Sequence, residues 1–213
     1  MYWARPLPAA GTTAPPRLDR LASSFDTTRL SLRFVERRDL PDLTVINADD
    51  ETTRFLGHHS WRSSDDAETW YRDVVDAYEA GRSRHFALVA GGRPVAGHDT
   101  NDGRVIGVAV LFNFDPVASR AELGYMLGPR DRGAGLMHEA LCALLSRAFT
   151  DLDLRRIEAF VDPRNAASGR TLRSLGFAYE GRLRARGVLK GEVVDSDAYG
   201  MLQGEWRPTI DRR

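Results

Sequence analysis

The stretch AELGYMLGPRDRGAGLMHEALCALLSRAFTDL, residues 121–152, changes its period midway. AELGYML alternates as a half-buried strand does. LMHEALCALLSRAFTDL instead carries Leu136, Ala140, Leu144 and Ala148 at helical spacing, the pattern of a helix buried on one side. Between them lies RDRGAG, Arg130 to Gly135. Glycines permit backbone angles that L-residues avoid, and the unpaired amides at a helix start point outward and favour negative charge. Strand, glycine turn and helix in that order predict a place to hold a phosphate. In most proteins such a turn is only a connection, so the rest of the chain decides.

Working outward, RLSLRFV from Arg29 reads as a strand, and RRDLPDLTVINAD, with Asp39 near its start, as a short helix. SSDDAETWYRDVVDAYEAG reads as a second helix from about Ser63, with acids in its first turn, Trp70, Val74 and Tyr78 on one face, and Gly81 as its stop. DETTRFLGHHSW, between the two, reads as a polar loop with scattered aromatics, as binding loops often are. Two strands follow, HFALVA and RVIGVAVLFNF, joined by the long hairpin loop GGRPVAGHDTNDG. After the glycine turn come the strand RRIEAFV, the short helix NAASGRTLRSLGF ending at Gly176, and two final antiparallel strands. The order predicts an α+β (mixed α/β) fold. A mostly antiparallel central sheet is flanked by helices, with one crossover helix after the glycine turn.

The 213 residues fit one α/β-sized domain, and 42% hydrophobic content is enough for a sizeable core. Residues 1–26 are rich in Pro, Ala, Thr and Ser and read as an extension, in which Tyr2 and Trp3 are the residues able to pack elsewhere. The domain is expected over 27–208, with 209–213 as a tail. Thirty basic residues balance thirty acidic ones, so neither a nucleic-acid nor a membrane partner is implied. The single cysteine, Cys142, fits a reducing cytoplasm, and no Cys/His spacing resembles a metal site. No secretory leader or membrane-length apolar run is present in these 213 residues, and a cytoplasmic location is expected.

Three phosphate-binding patterns compete at the turn. A P-loop needs Lys and Ser or Thr after its second glycine, where Leu136 and Met137 stand. A dinucleotide fingerprint needs a third small residue, where His138 stands, within a strictly alternating βαβ order that the chain lacks. The third is the pyrophosphate loop of the GNAT superfamily of N-acetyltransferases: Arg or Gln, two residues, Gly, one residue, Gly or Ala. Arg130, Gly133 and Gly135 match it. Further stretches resemble the branch of ribosomal-protein-alanine acetyltransferases: TTRLSLRFVERRDL, ELGYMLGP, HEALCALLSRAF, RRIEAFVDPRNAASGRTLRSLGFAYEGRLR, Asp195 and GEW at 204–206. The resemblance runs from about Thr28 to Trp206.

The resemblance implies a cytoplasmic enzyme that moves an acetyl group from acetyl-CoA to a primary amine, without a metal. It implies that the pyrophosphate takes Arg130 and the amides of Arg132, Gly133, Ala134, Gly135 and Leu136. The pantetheine arm lies along Tyr125, Met126 and Leu127 like an added strand, where backbone amides also polarise the thioester carbonyl. In that branch the residues matching Asn165 and Ser168 bond the cofactor arm and lie near its sulfur, which makes Ser168 the candidate for protonating the thiolate. Either residue could equally cap the short helix. The Tyr that many members use as this acid is replaced here by Leu172, and Tyr179 falls on the next strand without a motif match.

An amine must lose a proton before attack, and a carboxylate acting through water would take it. Glu122 is placed for that role, although a glutamate on an alternating strand is commonly just solvated. Gly187 stands where some relatives carry a second glutamate. Cys142, in ALCALL with no basic neighbour in sequence, reads as structural, so direct transfer in a ternary complex is expected. His58 and His59 fall in the loop near the acceptor mouth. Asp49, Asp50 and Glu51 in the same region, with Phe55 and Trp61, would suit a cationic acceptor. The acceptor could be a protein N-terminus, a polyamine, an aminoglycoside or an amino-acid-like metabolite. A coenzyme A sensor without turnover is the rival reading, and a homodimer is compatible with either.

Overall fold

A computed structural model of the chain describes residues 18–91 and 103–207. The elements run β1 (Ser24–Asp26), β2 (Leu30–Phe34), α1 (Leu40–Asn47), α2 (Asp50–Thr53), α3 (Ser64–Glu79), β3 (Ser83–Ala90), β4 (Val105–Asp115), β5 (Arg120–Leu127), α4 (Leu136–Asp151), β6 (Arg156–Val161), α5 (Ala166–Ser174), β7 (Ala178–Leu189) and β8 (Glu192–Leu202). One sheet takes the order β1-β2-β3-β4-β5-β6-β8-β7. All its pairs are antiparallel except β5 with β6, which α4 connects. The mixed, mostly antiparallel sheet flanked by helices is the architecture that the periodicities predict; the expected single crossover is not, because α5 carries the chain from β6 past β8 to the parallel strand β7, a second crossover.

Alternation along the strands sends side chains to two faces, and each face has its own apolar cluster. On one, α4 lays Leu136, Ala140, Leu144 and Ala148, all essentially inaccessible to solvent, against Phe86, Ile106, Leu123 and Ile157. On the other, α1 and α3 bury Leu43, Ile46 and Ala67 against Ala87, Val108 and Met126. Truncating a fully buried leucine such as Leu144 to alanine would cost about 2–5 kcal/mol. A Ser63/Asp66 capping box starts α3, and Gly81, at φ +67°, follows its end. Among the described residues, no helix is long and apolar enough to cross a membrane.

Two local expectations differ from the structure. The stretch 18–26 joins the body: Leu18, Leu21 and Phe25 are buried, and Ser24–Asp26 pairs with β2 as an edge strand. Three apolar side chains at a spacing of three to four outweigh the flanking Pro and Ser content. DETT, read as loop, forms α2, because Asp49 caps it by accepting from the Thr52 amide at 2.7 Å. Tyr2 and Trp3, most of the long hairpin loop and the tail 209–213 lie outside the described residues.

The feature that positions the site is a fork in the sheet. β5 pairs with β6 at only three positions, ending at Glu122 opposite Glu158. β5 then stays with β4 as far as Leu127 opposite Gly107, while β6 follows β8 out to Val161 opposite Asp197. Close packing of β4 on β5 depends on Gly107, where a Cβ would overlap the Met126 carbonyl oxygen.

Candidate active site

Beyond Glu122, the β6-facing edge of β5 has no strand beside it, so main-chain groups of residues 123–127 open into the fork. An extended ligand can add there as a strand would. The Leu127 carbonyl already accepts from Arg132 Nε at 3.2 Å.

At the open end of β5 the chain makes a tight turn at Pro129–Asp131 and passes through Gly133 and Gly135 at φ +82° and +76° before α4 begins. Both angles lie in the left-handed region that glycine adopts at no steric cost. With Gly135 in the capping position, no side chain caps α4, and the amides of its first turn stay available for an anion. The turn is braced from two sides. Arg104 holds the buried Asp131 through contacts of 3.0 and 3.1 Å. Arg29 donates to the Ala134 carbonyl at 2.8 Å and to Glu139, in the first turn of α4, at 2.5 Å. Its own amide and the Thr27 hydroxyl complete that carboxylate's shell at 2.8 and 2.6 Å. Arg130 is exposed. The Arg132 side chain crosses to the Thr52 hydroxyl at 2.7 Å, tying the glycine turn to α2.

Across the fork, Asn165 caps α5 by accepting from the Ser168 amide at 3.2 Å, so the capping role is real. The Asn165 side-chain NH2 makes no hydrogen bond to a described residue. Ser168 is buried, and its hydroxyl meets that of Tyr125 at 2.9 Å, while Tyr125 Oη also lies 3.1 Å from the Ser168 carbonyl. Leu172, one turn on, is fully buried in the core. Tyr179 lies on β7, its ring against Tyr199 and its hydroxyl 3.4 Å from Asp197.

Glu122 lies at the base of the fork, on the face that Met126 shares with α1 and α3. It is not simply solvated. Burial pushes its carboxyl above the ordinary range, partly opposed by Asn113 Nδ2, which donates to it at 3.1 Å, and aided by the charge of Glu158. Asn113 reaches it from an irregularity in the β4–β5 register, at φ +49°. Glu158 is held by Arg120 at 2.6 Å and Arg156 at 2.7 Å.

An open depression of about 240 Å³ is lined by Arg54, Phe55, Arg164, Leu189, Lys190 and Glu192. Arg164 immediately precedes Asn165, which lines a separate depression with Val161, Gly169 and Tyr199. Lys190, at the β7–β8 tip, donates to the Thr53 carbonyl at 2.9 Å and so pins the hairpin to α2. Two of the three acids expected to attract a cation are already engaged. Asp49 is held low by the Thr52 hydroxyl and amide, and Asp50 by Ser60 and by Arg62 at 2.6 Å. Glu51 is exposed, 3.9 Å from Arg54. His58 packs on Trp61 with Nδ1 2.8 Å from the His59 carbonyl oxygen, and burial lowers its pKa; His59 is exposed.

Cys142 has a basic neighbour that its immediate sequence hid. His138, one turn earlier on α4, places Nδ1 3.6 Å from the sulfur. The thiol is half-buried on α4, packed against the larger apolar cluster.

Sequence reasoning missed the Arg29–Glu139 brace, the Asn113 contact, the Tyr125 hydroxyl and the Lys190 tip. Arg29 and Glu139 are 110 positions apart, and no local pattern marks such a pair. The Lys190-Gly191 turn, with both residues at positive φ, is the signal that could have located the hairpin tip.

Residues 29–178 match the family model described as acetyltransferase (GNAT) domain. An uncharacterized N-acetyltransferase of Bacillus licheniformis is 32% identical, over 84% of this chain and 96% of its own length. The ribosomal protein uS5-alanine N-acetyltransferase of Escherichia coli is also 32% identical, over 85% and 92%. Among solved structures, spermidine N-acetyltransferase from Vibrio cholerae, in complex with CoA and spermine, superposes with a TM-score of 0.68 at 22% identity, covering 84% of this chain and 98% of its own. That likeness concerns the fold. The family match across most of the chain shows that the protein belongs to the GNAT acetyltransferase family and is an acetyl-CoA-dependent N-acetyltransferase.

Proposed function

We propose that the enzyme acetylates a primary amine by direct attack within a ternary complex. The observation that carries this reading is the fork itself, which opens between an uncapped helix start on one side and a buried serine and half-buried glutamate on the other. The amides of Arg132 to Leu136, with Arg130, receive the pyrophosphate of acetyl-CoA, and main-chain groups of Tyr125, Met126 and Leu127 take its arm together with the Asn165 amide. The amine lone pair then attacks the thioester carbonyl carbon. A backbone amide of β5 stabilises the oxygen as charge develops on it. Before that attack, Glu122 draws one proton off the ammonium through water, which frees the lone pair. The carbon–sulfur bond breaks as the attacking nitrogen gives up its second proton to water; Ser168 donates a hydrogen bond to the departing thiolate, which takes a proton from that water and leaves as the free thiol.

We infer an acceptor with few positive charges beyond the reacting amine, namely a protein N-terminus or an amino-acid-like small molecule. Three cations and one carboxylate line the depression, and Asp49 and Asp50 nearby are satisfied internally, with Glu51 beside Arg54. A polyamine would face an excess of like charge there.

A thiol-release assay with acetyl-CoA against N-terminal peptides, amino acids, an aminoglycoside and spermidine tests this, with Ser168→Ala in parallel. Acceptor-dependent release that falls in the variant supports the mechanism. Tight acetyl-CoA binding without release to any amine would favour a sensor, and spermidine as the best acceptor would overturn the substrate class.

A further inference from the structure

We propose that Tyr125 is the positioning residue for the Ser168 hydroxyl, reaching it from β5 across the fork. The inference rests on the role given above to Ser168.

Alternation along β5 sends Tyr125 to the α4–α5 face, together with Ala121 and Leu123 of the larger core cluster. The fork leaves room there for a phenol between β5 and α5. Its oxygen lies 2.9 Å from Ser168 Oγ and 3.1 Å from the Ser168 carbonyl oxygen. Among the described residues, Tyr125 Oη is the hydrogen-bond partner of Ser168 Oγ. Leu172 offers no polar atom one turn later.

A serine side chain has three staggered wells of similar energy, and its hydroxyl hydrogen rotates freely. Asn165 fixes the Ser168 backbone at the start of α5, but nothing in that cap fixes the side chain. Tyr125 does, and two arrangements of the pair bear on the thiolate. When Tyr125 donates to the Ser168 carbonyl, Ser168 Oγ–H points back at the phenol. When Tyr125 donates to Oγ, the serine proton is released toward the fork, where the thiolate forms. Negative charge on sulfur favours the second arrangement, and burial keeps the phenol protonated and therefore a donor. The tyrosine keeps its proton throughout and touches no reacting atom. This chain thus supports its serine with a hydroxyl from a strand, where many family members place a tyrosine on the following helical turn.

The test is a double-mutant cycle of Tyr125→Phe and Ser168→Ala, read as kcat and KM for acetyl-CoA in the holoenzyme assay, with thermal unfolding as the control for folding. Tyr125→Phe should lower kcat about tenfold, the scale of one hydrogen bond made in the transition state, with KM for acetyl-CoA within about twofold. In the Ser168→Ala background the same change should cost almost nothing, because its target is gone. A merely structural tyrosine would lower activity in both backgrounds alike. Overturning results are an equal loss in the Ser168→Ala background, a loss confined to KM, or an unchanged Tyr125→Phe beside an impaired Ser168→Ala. Wild-type kcat in Ser168→Ala would instead sink the role of the serine, and this inference with it.

Discussion

Replacing Arg29 by methionine should weaken coenzyme A binding about thirtyfold. Arg29 sits 2.5 Å from Glu139 and holds the Ala134 carbonyl at 2.8 Å, so it neutralises an acid in the first turn of α4, the helix proposed to receive the pyrophosphate. Methionine keeps much of the aliphatic stem but leaves that carboxylate to the Arg29 amide and the Thr27 hydroxyl, without a compensating cation. One turn of helical rise plus a hydrogen-bond length puts it about 8 Å from a phosphate on the α4 amides. At an effective dielectric of ~20, unit charges at that separation repel by about 2 kcal/mol. Glu139 is 20% exposed, and solvent screening reduces this to about 1 kcal/mol per charge. A diphosphate with roughly two charges then loses about 2 kcal/mol, or about thirtyfold in Kd. Isothermal titration with coenzyme A reads the loss, which should shrink as salt is raised from about 0.05 to 0.5 M. Adding Glu139→Gln should recover most of it, since both members of the pair are then uncharged. A deficit below about threefold, or a double variant as weak as the single one, would refute the electrostatic account.

Gly107→Ala should destabilise the protein by more than about 3 kcal/mol, because the added methyl overlaps the β5 main chain rather than a movable side chain; denaturant unfolding measures it, and a neutral substitution would contradict the packing of β4 on β5. For Glu122 the raised pKa means that folding favours the protonated acid, so its contribution is fullest below the ordinary glutamate pKa and falls as pH rises through the raised one. Glu122→Gln should therefore gain stability over wild type at pH ~8 and show almost none of that gain at pH ~3, while its rate loses the low-pH limb of the wild-type profile; equal stability at both values would argue against the burial effect. Lys190→Glu should raise kcat/KM for spermidine relative to an N-terminal peptide, with KM for acetyl-CoA little changed. Unchanged acceptor preference would place the amine elsewhere.

The elements with a clean period were legible from the sequence. The face of α4, the strand at 121–127 and the capped start of α3 each follow from residues close together in the chain, as does the glycine turn, whose two positive φ angles need glycine. What was not legible depends on partners far apart. The Asp49, Asp50 and Glu51 cluster reads as a cation trap until the fold shows Thr52, Ser60 and Arg62 already answering two of its carboxylates. Tyr125 reads as a main-chain contact because strand alternation reveals which face a hydroxyl takes, but not what stands opposite 43 positions later. The strand at 24–26 escaped because its composition outvoted one buried phenylalanine, whose burial depends on Phe86, 5.4 Å away between ring centroids.

The fork between β5 and β6 leaves inside the molecule what most proteins avoid even at their rims, a strand edge with open main-chain groups. If acetyl-CoA supplies the missing rung, it is also a structural component, and each empty enzyme exposes that edge until the next molecule arrives. The lifetime of the protein in a cell then follows the supply of its own substrate. Stability rises with the logarithm of acetyl-CoA above its Kd, so starvation for acetyl groups would thin out the enzyme that spends them before any regulator acts.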